Sequence, residues 1–302
     1  MSRRVLVVTH EARQAAVRAS GLVDAELRRH GLTPIHGPSP AEVERSGGRV
    51  PDFGHLELVI VLGGDGTILR AAELARGHDA PLVGINLGHV GFLAESERDD
   101  VQHVVARAAE RDYVVEERLT LDVLVRRPDR DEVERGWAIN EATVEKAGSR
   151  ARMLEVAVGV DGRGLSSFGC DGVVMATPTG STAYAFSVGG PVVWPNVEAL
   201  LMIPIAAHAL FARPLVVGPD SHLAVEVLAR SHMSGAVWCD GRRRLDAPPG
   251  SHVEVARGAE PVRFARLSQA PFSHRLVQKF DLPTSGWRGL SPAYDADEQD
   301  SS

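Results

Sequence analysis

Asp65 is the single carboxylate in the run Gly63-Gly64-Asp65-Gly66-Thr67. Glycines on both sides let a phosphate-bearing ligand approach the backbone closely, and a helix N-terminus behind them favours anions. A carboxylate there would repel phosphate, so it suits acceptance of a proton or the holding of a magnesium ion. A second dense segment runs Gly169-Cys170-Asp171-Gly172, then Val173-Val174-Met175, then residues 177–187, which carry six hydroxyl side chains. Hydroxyls beside the N–H groups of a helix start suit sugar hydroxyls and phosphate oxygens without adding charge. Singly, each reads as a cap on a short helix. Together, with Pro178 and Gly180 fixing the turn, they read as a ligand-binding loop. Asn140-Glu141 offers donors and acceptors for a ribose diol or a carboxamide, although the same dipeptide is common on surfaces.

These groups need a frame, and hydrophobic period supplies one. Leu58-Val59-Ile60-Val61-Leu62 reads as a buried parallel strand, and the helix-forming residues 68–75 behind Asp65 stop at Gly77. Upstream, residues 5–8 form a strand and residues 11–30 a helix, with Ala16, Ala19, Leu22, Val23 and Leu27 on one face and Gly31 as its stop. Residues 32–35 are extended, residues 37–54 form a loop with one short helix, residues 81–86 are extended, and residues 99–112 form a further helix. This βαβ pattern implies a parallel sheet with ligands at the carboxyl ends of its strands, where Asp65 and Asn86 lie. From Leu119 the period becomes 2. Strands are expected through Leu121, Val123 and Val125, at 137–139 with Asn140-Glu141 at its end, and at 153–160, 223–227, 236–239, 252–255 and 262–267. A short helix is expected at 182–188 and another at 273–280, ended by Pro283. Residues 290–302 read as a disordered acidic tail.

A chain of 302 residues favours two domains. With 44% apolar and 24% charged residues it reads as globular, and a net charge of −7 argues against nucleic-acid or membrane-surface binding. Cys170 and Cys239 form no CxxC pair, and the histidines lack metal-ligand spacing, so no protein-held metal is expected. The start of the chain shows no leader-type apolar segment and no stretch approaches a membrane span, so a cytoplasmic protein is expected. No GxxxxGK[ST] is present, and the third glycine of a dinucleotide fingerprint is missing after Asp65. Cys170 reads as a small packed residue and His208 as a helix-end or core histidine.

With those residues in view, the chain resembles the NAD kinases, most closely the bacterial, actinobacterial type. GGDGT at 63–67, Leu69-Arg70-Ala71-Ala72, Asn86-Leu87-Gly88-His89-Val90-Gly91-Phe92-Leu93, Asn140-Glu141, Asp171-Gly172 with 177–187, and Gly189-Gly190-Pro191 follow that family's order and spacing. GGDGT alone is shared with phosphofructokinases and diacylglycerol-type lipid kinases; the Thr-Pro-Thr-Gly-Ser-Thr-Ala-Tyr run is more specific. The resemblance implies an α/β fold with an N-terminal Rossmann-like parallel-sheet domain (1–118) and a C-terminal β-rich NAD-binding domain (119–272). Residues 273–289 would return to the first domain, ahead of the tail. It implies phosphorylation of the 2′-hydroxyl on the adenosine ribose of NAD by ATP or polyphosphate with magnesium, giving NADP, in a homodimer or homotetramer.

Carried over by motif, Asp65 matches the general base and Gly66 its neighbour at the nucleotide. Phe92 matches a position at the adenine side, Asn140 and Glu141 the ribose-holding pair, and Asp171 a contact to the nicotinamide portion. Thr182, Ala183, Tyr184 and Ser187 match the adenosine loop, and Arg70 and Arg152 phosphate-binding positions. Two departures stand out: Gly169 where many members carry Arg or Lys, and Arg242 where some carry Gln. The competing readings are a GGDGT-type lipid or sugar kinase and a non-catalytic NAD(H)-binding regulator.

Overall fold

An uninterrupted apolar run can be buried on both faces, and Leu58–Leu62 is buried at all five positions. The computed structural model describes residues 3–46, 49–86, 91–94, 101–148, 152–268 and 270–283. The chain divides into two units, one of Met1–Ala75, Leu82–Val114 and the residues from Ala265 on, the other of Arg76–Pro81 and Val115–Phe264.

The first unit opens with β1 (Arg3–Thr9), α1 (Gln14–Arg29), β2 (Leu32–His36) and α2 (Pro40–Arg45). It continues with β3 (Leu58–Leu62), α3 (Asp65–Leu74), β4 (Leu82–Ile85) and α4 (Val101–Ala109). The strands run parallel in the order β2-β1-β3-β4, so the chain leaves β1 to one side for β2 and returns to its other side for β3. Such a reversal opens a crevice at the carboxyl ends of the central strands. Asp65 directly follows β3 there. One sheet face, with Val5, Val7, Leu58, Ile60 and Leu62, packs on Ala16, Ala19, Val23 and Leu27 of α1 and on Val104, Val105 and Ala108 of α4. The spacing of the α1 residues is the helical stripe expected from sequence; Leu22, also placed on it, is half exposed instead. On the opposite face α3 lies close to β4: a Cβ on Gly84 would come within 2.7 Å of Ile68.

The second unit is built on period-2 strands. After β5 (Val114–Arg118), which lies at the edge of the first sheet, they are β6 (Leu121–Arg126), β7 (Glu134–Ala138), β8 (Glu141–Lys146), β9 (Leu154–Val160), β10 (Arg163–Cys170) and β11 (Gly172–Ala176). A 3-10 turn (Thr179–Thr182) and the short α5 (Tyr184–Ser187) come next. Then follow β12 (Leu200–Ile205), β13 (Leu215–Val217), β14 (Leu223–Val227), β15 (Gly235–Cys239), β16 (Arg243–Ala247) and β17 (His252–Arg257). The chain passes between the units within β5 and again within β18 (Val262–Arg266), strands that extend the parallel sheet, and ends its described part in α6 (Phe272–Phe280).

Two antiparallel sheets, β10-β9-β14-β17-β6-β7 and β13-β12-β11-β8-β15-β16, enclose one core. Alternation decides which residues enter it: Val123, Val125, Val156 and Val225 from one sheet, Ala142, Val144, Val173 and Met175 from the other. β11 is buried on both faces, because Val174 and Ala176 pack outward on Ala185 of α5. Glu141, expected at the end of the 137–139 strand, instead begins β8. β7 closes at Ala138 and the chain turns through Ile139 and Asn140. β10 and β16, absent from the sequence expectation, are sheet edges whose exposed polar residues blur the alternation. Among the described residues no helix is long and apolar enough to cross a membrane. Positions 87–90 of the Asn86–Leu93 motif, 99–100 of the expected helix, 284–289 and the acidic tail lie outside the described residues.

Candidate functional site

In the first unit, Asp65 is the first residue of α3, with Gly64 as its N-cap in extended conformation. Its carboxylate is held from outside the helix: the Phe92 N–H donates to Oδ2 and the Leu93 N–H to Oδ1, both at 3.1 Å. Among the described residues each oxygen accepts one N–H, and a carboxylate oxygen can accept more than one. Gly91 makes this possible, since a Cβ there would overlap the carboxylate. The three glycines of GGDG divide the work. Gly63 sits beneath the Thr67 side chain, which a Cβ would strike, whereas a Cβ on Gly64 or Gly66 would meet nothing within 4 Å. The flanks of Asp65 are therefore bare backbone facing open space, at the positive end of a helix dipole. Arg70 lies one turn on and is nearly fully buried. The Phe92 ring is buried between Phe272 and Phe280, at centroid distances of 5.8 and 5.6 Å.

In the second unit, Asn140 and Glu141 are both buried at the turn into β8. The hydroxyl-rich segment is tied to that turn. The Thr177 N–H donates to the Asn140 carbonyl at 2.9 Å and the Thr177 hydroxyl to the Ile139 carbonyl at 2.5 Å. A Cβ on Gly180 would collide with the Asn140 carbonyl, so glycine is required for this approach. Ser181 spends its hydroxyl on Pro178 and Val193, and Thr182 donates to the Thr179 carbonyl. Four of the six hydroxyls thus build the loop or touch its supports, Thr179 being the acceptor of an Arg118 contact at 3.5 Å. Tyr184 and Ser187 remain exposed on α5, with Thr182 and Ala183 half buried before them.

The outward face of β8 carries Glu141, Thr143 and Glu145, while Ala142 and Val144 enter the core. Burial pushes the Glu141 carboxyl up to about 8, and the carboxylates of Asp240 and Glu145 add to this against the Tyr184 N–H, which favours the ionised form. Its Oε2 is buried without a hydrogen-bond partner. The Tyr184 phenol is raised by burial and by Glu145, Glu141 and Asp171 in turn. Asp171, at the far end of the β8–β11 ladder, is paired with Lys146 at 2.5 Å. Four residue steps of strand lead from Glu141 to Glu145, about 13 Å, so the two ends are an extended-ligand length apart.

Lys146 was not singled out from sequence, yet it supplies a cation at Asp171 where Gly169 does not. Met153 lies over Gly169, where a Cβ would come 2.9 Å from its sulfur. Arg152 is exposed ahead of β9, and Arg242 follows the tight turn at Asp240-Gly241. Cys170 is fully buried, its thiol pushed up to about 12 chiefly by burial, and is no nucleophile at neutral pH. His208, expected at a helix end or in the core, is instead an exposed loop residue whose N–H donates to the Gly169 carbonyl at 2.9 Å. Among the described residues, no group of three or more His, Cys, Asp or Glu could hold a metal ion.

Comparison with known proteins matches the ATP-NAD kinase N-terminal domain over residues 36–113 and the ATP-NAD kinase C-terminal domain over residues 139–267. An NAD kinase of Leifsonia xyli subsp. xyli is 57% identical over 298 residues, 95% of this chain and 97% of that protein. The crystal structure of an NAD kinase from Archaeoglobus fulgidus in complex with ATP superposes with a TM-score of 0.72 at 26% identity, over 93% of this chain and 100% of that one. The fold is also that of yeast NADH kinase complexed with NADH, with a TM-score of 0.83 at 21% identity, covering 94% of this chain and 89% of that one.

Proposed function

The chain belongs to the NAD kinase family and is a phosphotransferase, and we propose that it moves a phosphoryl group from ATP or polyphosphate to the 2′-hydroxyl on the adenosine ribose of NAD, forming NADP. The observation that carries this reading is Asp65, fixed by two backbone N–H groups between two glycines that face open space.

Phosphoryl transfer asks a protein for positioning and charge neutralisation more than covalent help. The bare backbone at Gly64 and Gly66 suits the donor phosphates, and Asp65 takes the ribose proton as transfer completes. Magnesium bound with the donor would neutralise charge on the phosphate oxygens. Asp65, each of whose oxygens accepts one N–H among the described residues, is a side chain suited to reach it. Arg70 and Arg152 are assigned to phosphate binding and Phe92 to the adenine side.

Asn140 and Glu141 hold a ribose of NAD: a diol hydroxyl supplies the partner that Glu141 Oε2 lacks. Asp171, with Lys146 beside it, faces the nicotinamide portion, and Thr182, Ala183, Tyr184 and Ser187 form the adenosine loop. We assign the protein to the cytoplasm as a homodimer or homotetramer; the exposed Leu210, Phe211 and Val216 suit burial against another copy.

The test is a set of parallel assays of the purified protein with NAD, magnesium and either ATP or polyphosphate, read with an NADP-specific dehydrogenase. Diacylglycerol and sphingosine serve as competing acceptors. Magnesium-dependent NADP formation is expected. Lipid phosphorylation without NADP, or saturable NAD binding with no turnover, would overturn the reading.

A further inference from the structure

Asp240 has no part in the roles assigned so far, yet it is the most heavily engaged carboxylate of the second unit. It lies 100 residues from Asn140 in the chain, in the Asp240-Gly241 turn that joins β15 to β16, and its side chain is 1% exposed. Its carboxylate accepts the Ile139 N–H at 3.0 and 3.1 Å and the Asn140 N–H at 2.7 Å. Its own N–H donates to the Glu141 carbonyl at 2.9 Å. Three consecutive residues, those of the turn that presents the Asn-Glu pair, are thus pinned by one residue.

The position also explains why the residue is aspartate. Asp240 has φ +52° and Gly241 φ +63°, left-handed values at the two central residues of the turn that the Arg242 N–H closes on the Cys239 carbonyl, and Asp, Asn and Gly tolerate them best. Behind the carboxylate, Arg243 donates to it at 2.7 Å, and the same guanidinium lies 4.4 Å over the Trp137 ring. Arg76 covers another approach to that ring at 4.2 Å. Trp137 stands in β7, just before Ile139 and Asn140. The strand that leads into the turn is therefore braced through Arg243 by the same carboxylate that fixes the turn.

We propose that Asp240 is a positioning residue for the NAD site: it fixes the backbone of Ile139, Asn140 and Glu141, and so sets where the Asn140 carboxamide and the Glu141 carboxyl meet a ribose. Asp240 touches no substrate itself. Its loss should therefore weaken NAD recognition and leave donor recognition alone. The substrate named here rests on the NAD kinase reading, whereas the pinning of the turn does not.

Two variants separate charge from geometry. Asp240→Asn keeps an acceptor oxygen and the left-handed conformation but removes the charge facing Arg243. Asp240→Gly keeps the conformation and removes the acceptor. The full-length protein is examined by hydrogen–deuterium exchange over residues 137–143 and by KM for NAD, KM for ATP and kcat. We expect faster exchange at Ile139 and Asn140 in Asp240→Gly, and a KM for NAD raised by about tenfold to a hundredfold, the scale of a misplaced positioning group. Asp240→Asn should fall between it and the wild type, and KM for ATP should stay within about twofold in both, since the donor groups are assigned elsewhere. Unchanged exchange with unchanged KM for NAD would overturn the proposal. So would a parallel loss in both substrates that tracks a fall in folded fraction. Should the wild type make no NADP, the functional reading fails, and the exchange rates alone decide whether Asp240 pins the turn.

Discussion

The two candidate sites, one in each unit, are built in opposite ways. Asp65 stands at a helix start with bare glycine on either side, half buried, tied among the described residues by two N–H groups of a neighbouring loop. Glu141 is buried, its partners are fixed to a sheet, and its carboxyl is pushed up to about 8, with burial the main cause. A carboxylate that must exchange a proton with a substrate benefits from access and a modest environment. One that must recognise a hydroxyl gains from a dry, rigid setting in which an unmade hydrogen bond is costly. The first arrangement suits chemistry and the second suits selection.

If that contrast is right, Asp65→Asn has the largest effect. Turnover should fall by about 10²–10⁴-fold, the range for a lost general base, with the fold intact because the amide still fits beside Gly91. Gly91→Ala should come next. The new Cβ displaces the Asp65 carboxylate, and steady-state kinetics should show kcat reduced by about tenfold to a hundredfold with little change in melting temperature.

Glu141 gives a pH signature. Its carboxyl binds its proton more tightly folded than unfolded, where 4.5 is the ordinary value, so its contribution to stability is whole below about 4.5 and lost as pH rises through about 8. Asp240, also raised by burial, acts in the same direction. The melting temperature of the wild type should therefore fall between about pH 4.5 and 8 and level off above that, and Glu141→Gln should flatten the fall. The smallest effect belongs to Lys146→Met: its pair with Asp171 is partly exposed, so NAD affinity should drop by about 0.2–1 kcal/mol, measured by calorimetry.

The same contrast explains what the sequence made legible. The Asp65 site lies in contiguous chain, a buried strand, three glycines and a helix within about fifteen residues, so period and turn chemistry located it. Its support is local enough that Gly91 and Phe92 appear in a motif with Asn86. The candidate site of the second unit is assembled by an antiparallel sheet from Asn140, Thr177 and Asp240, and register is not written in any one segment. Asn140-Glu141 is therefore legible as a pair but not as the start of β8, and nothing in the segment around Asp240 marks its link to that pair. Lys146 lay hidden because nothing local marks which residue will face Asp171 across β8 and β11. The run at 177–187 was visible as a loop, yet sequence could not divide its hydroxyls into those that build it, Thr177 and Ser181, and those left outward, Tyr184 and Ser187.

The division of labour is tested most directly by titrating NAD into Asp65→Asn and Glu141→Gln in a calorimeter while measuring kcat for both. The account predicts that Asp65→Asn binds NAD within about twofold of the wild type although its turnover is nearly lost, and that Glu141→Gln binds NAD about tenfold or more weakly but keeps most of its kcat at saturation. The reverse pattern, with NAD affinity lost in Asp65→Asn and turnover lost in Glu141→Gln, would contradict it.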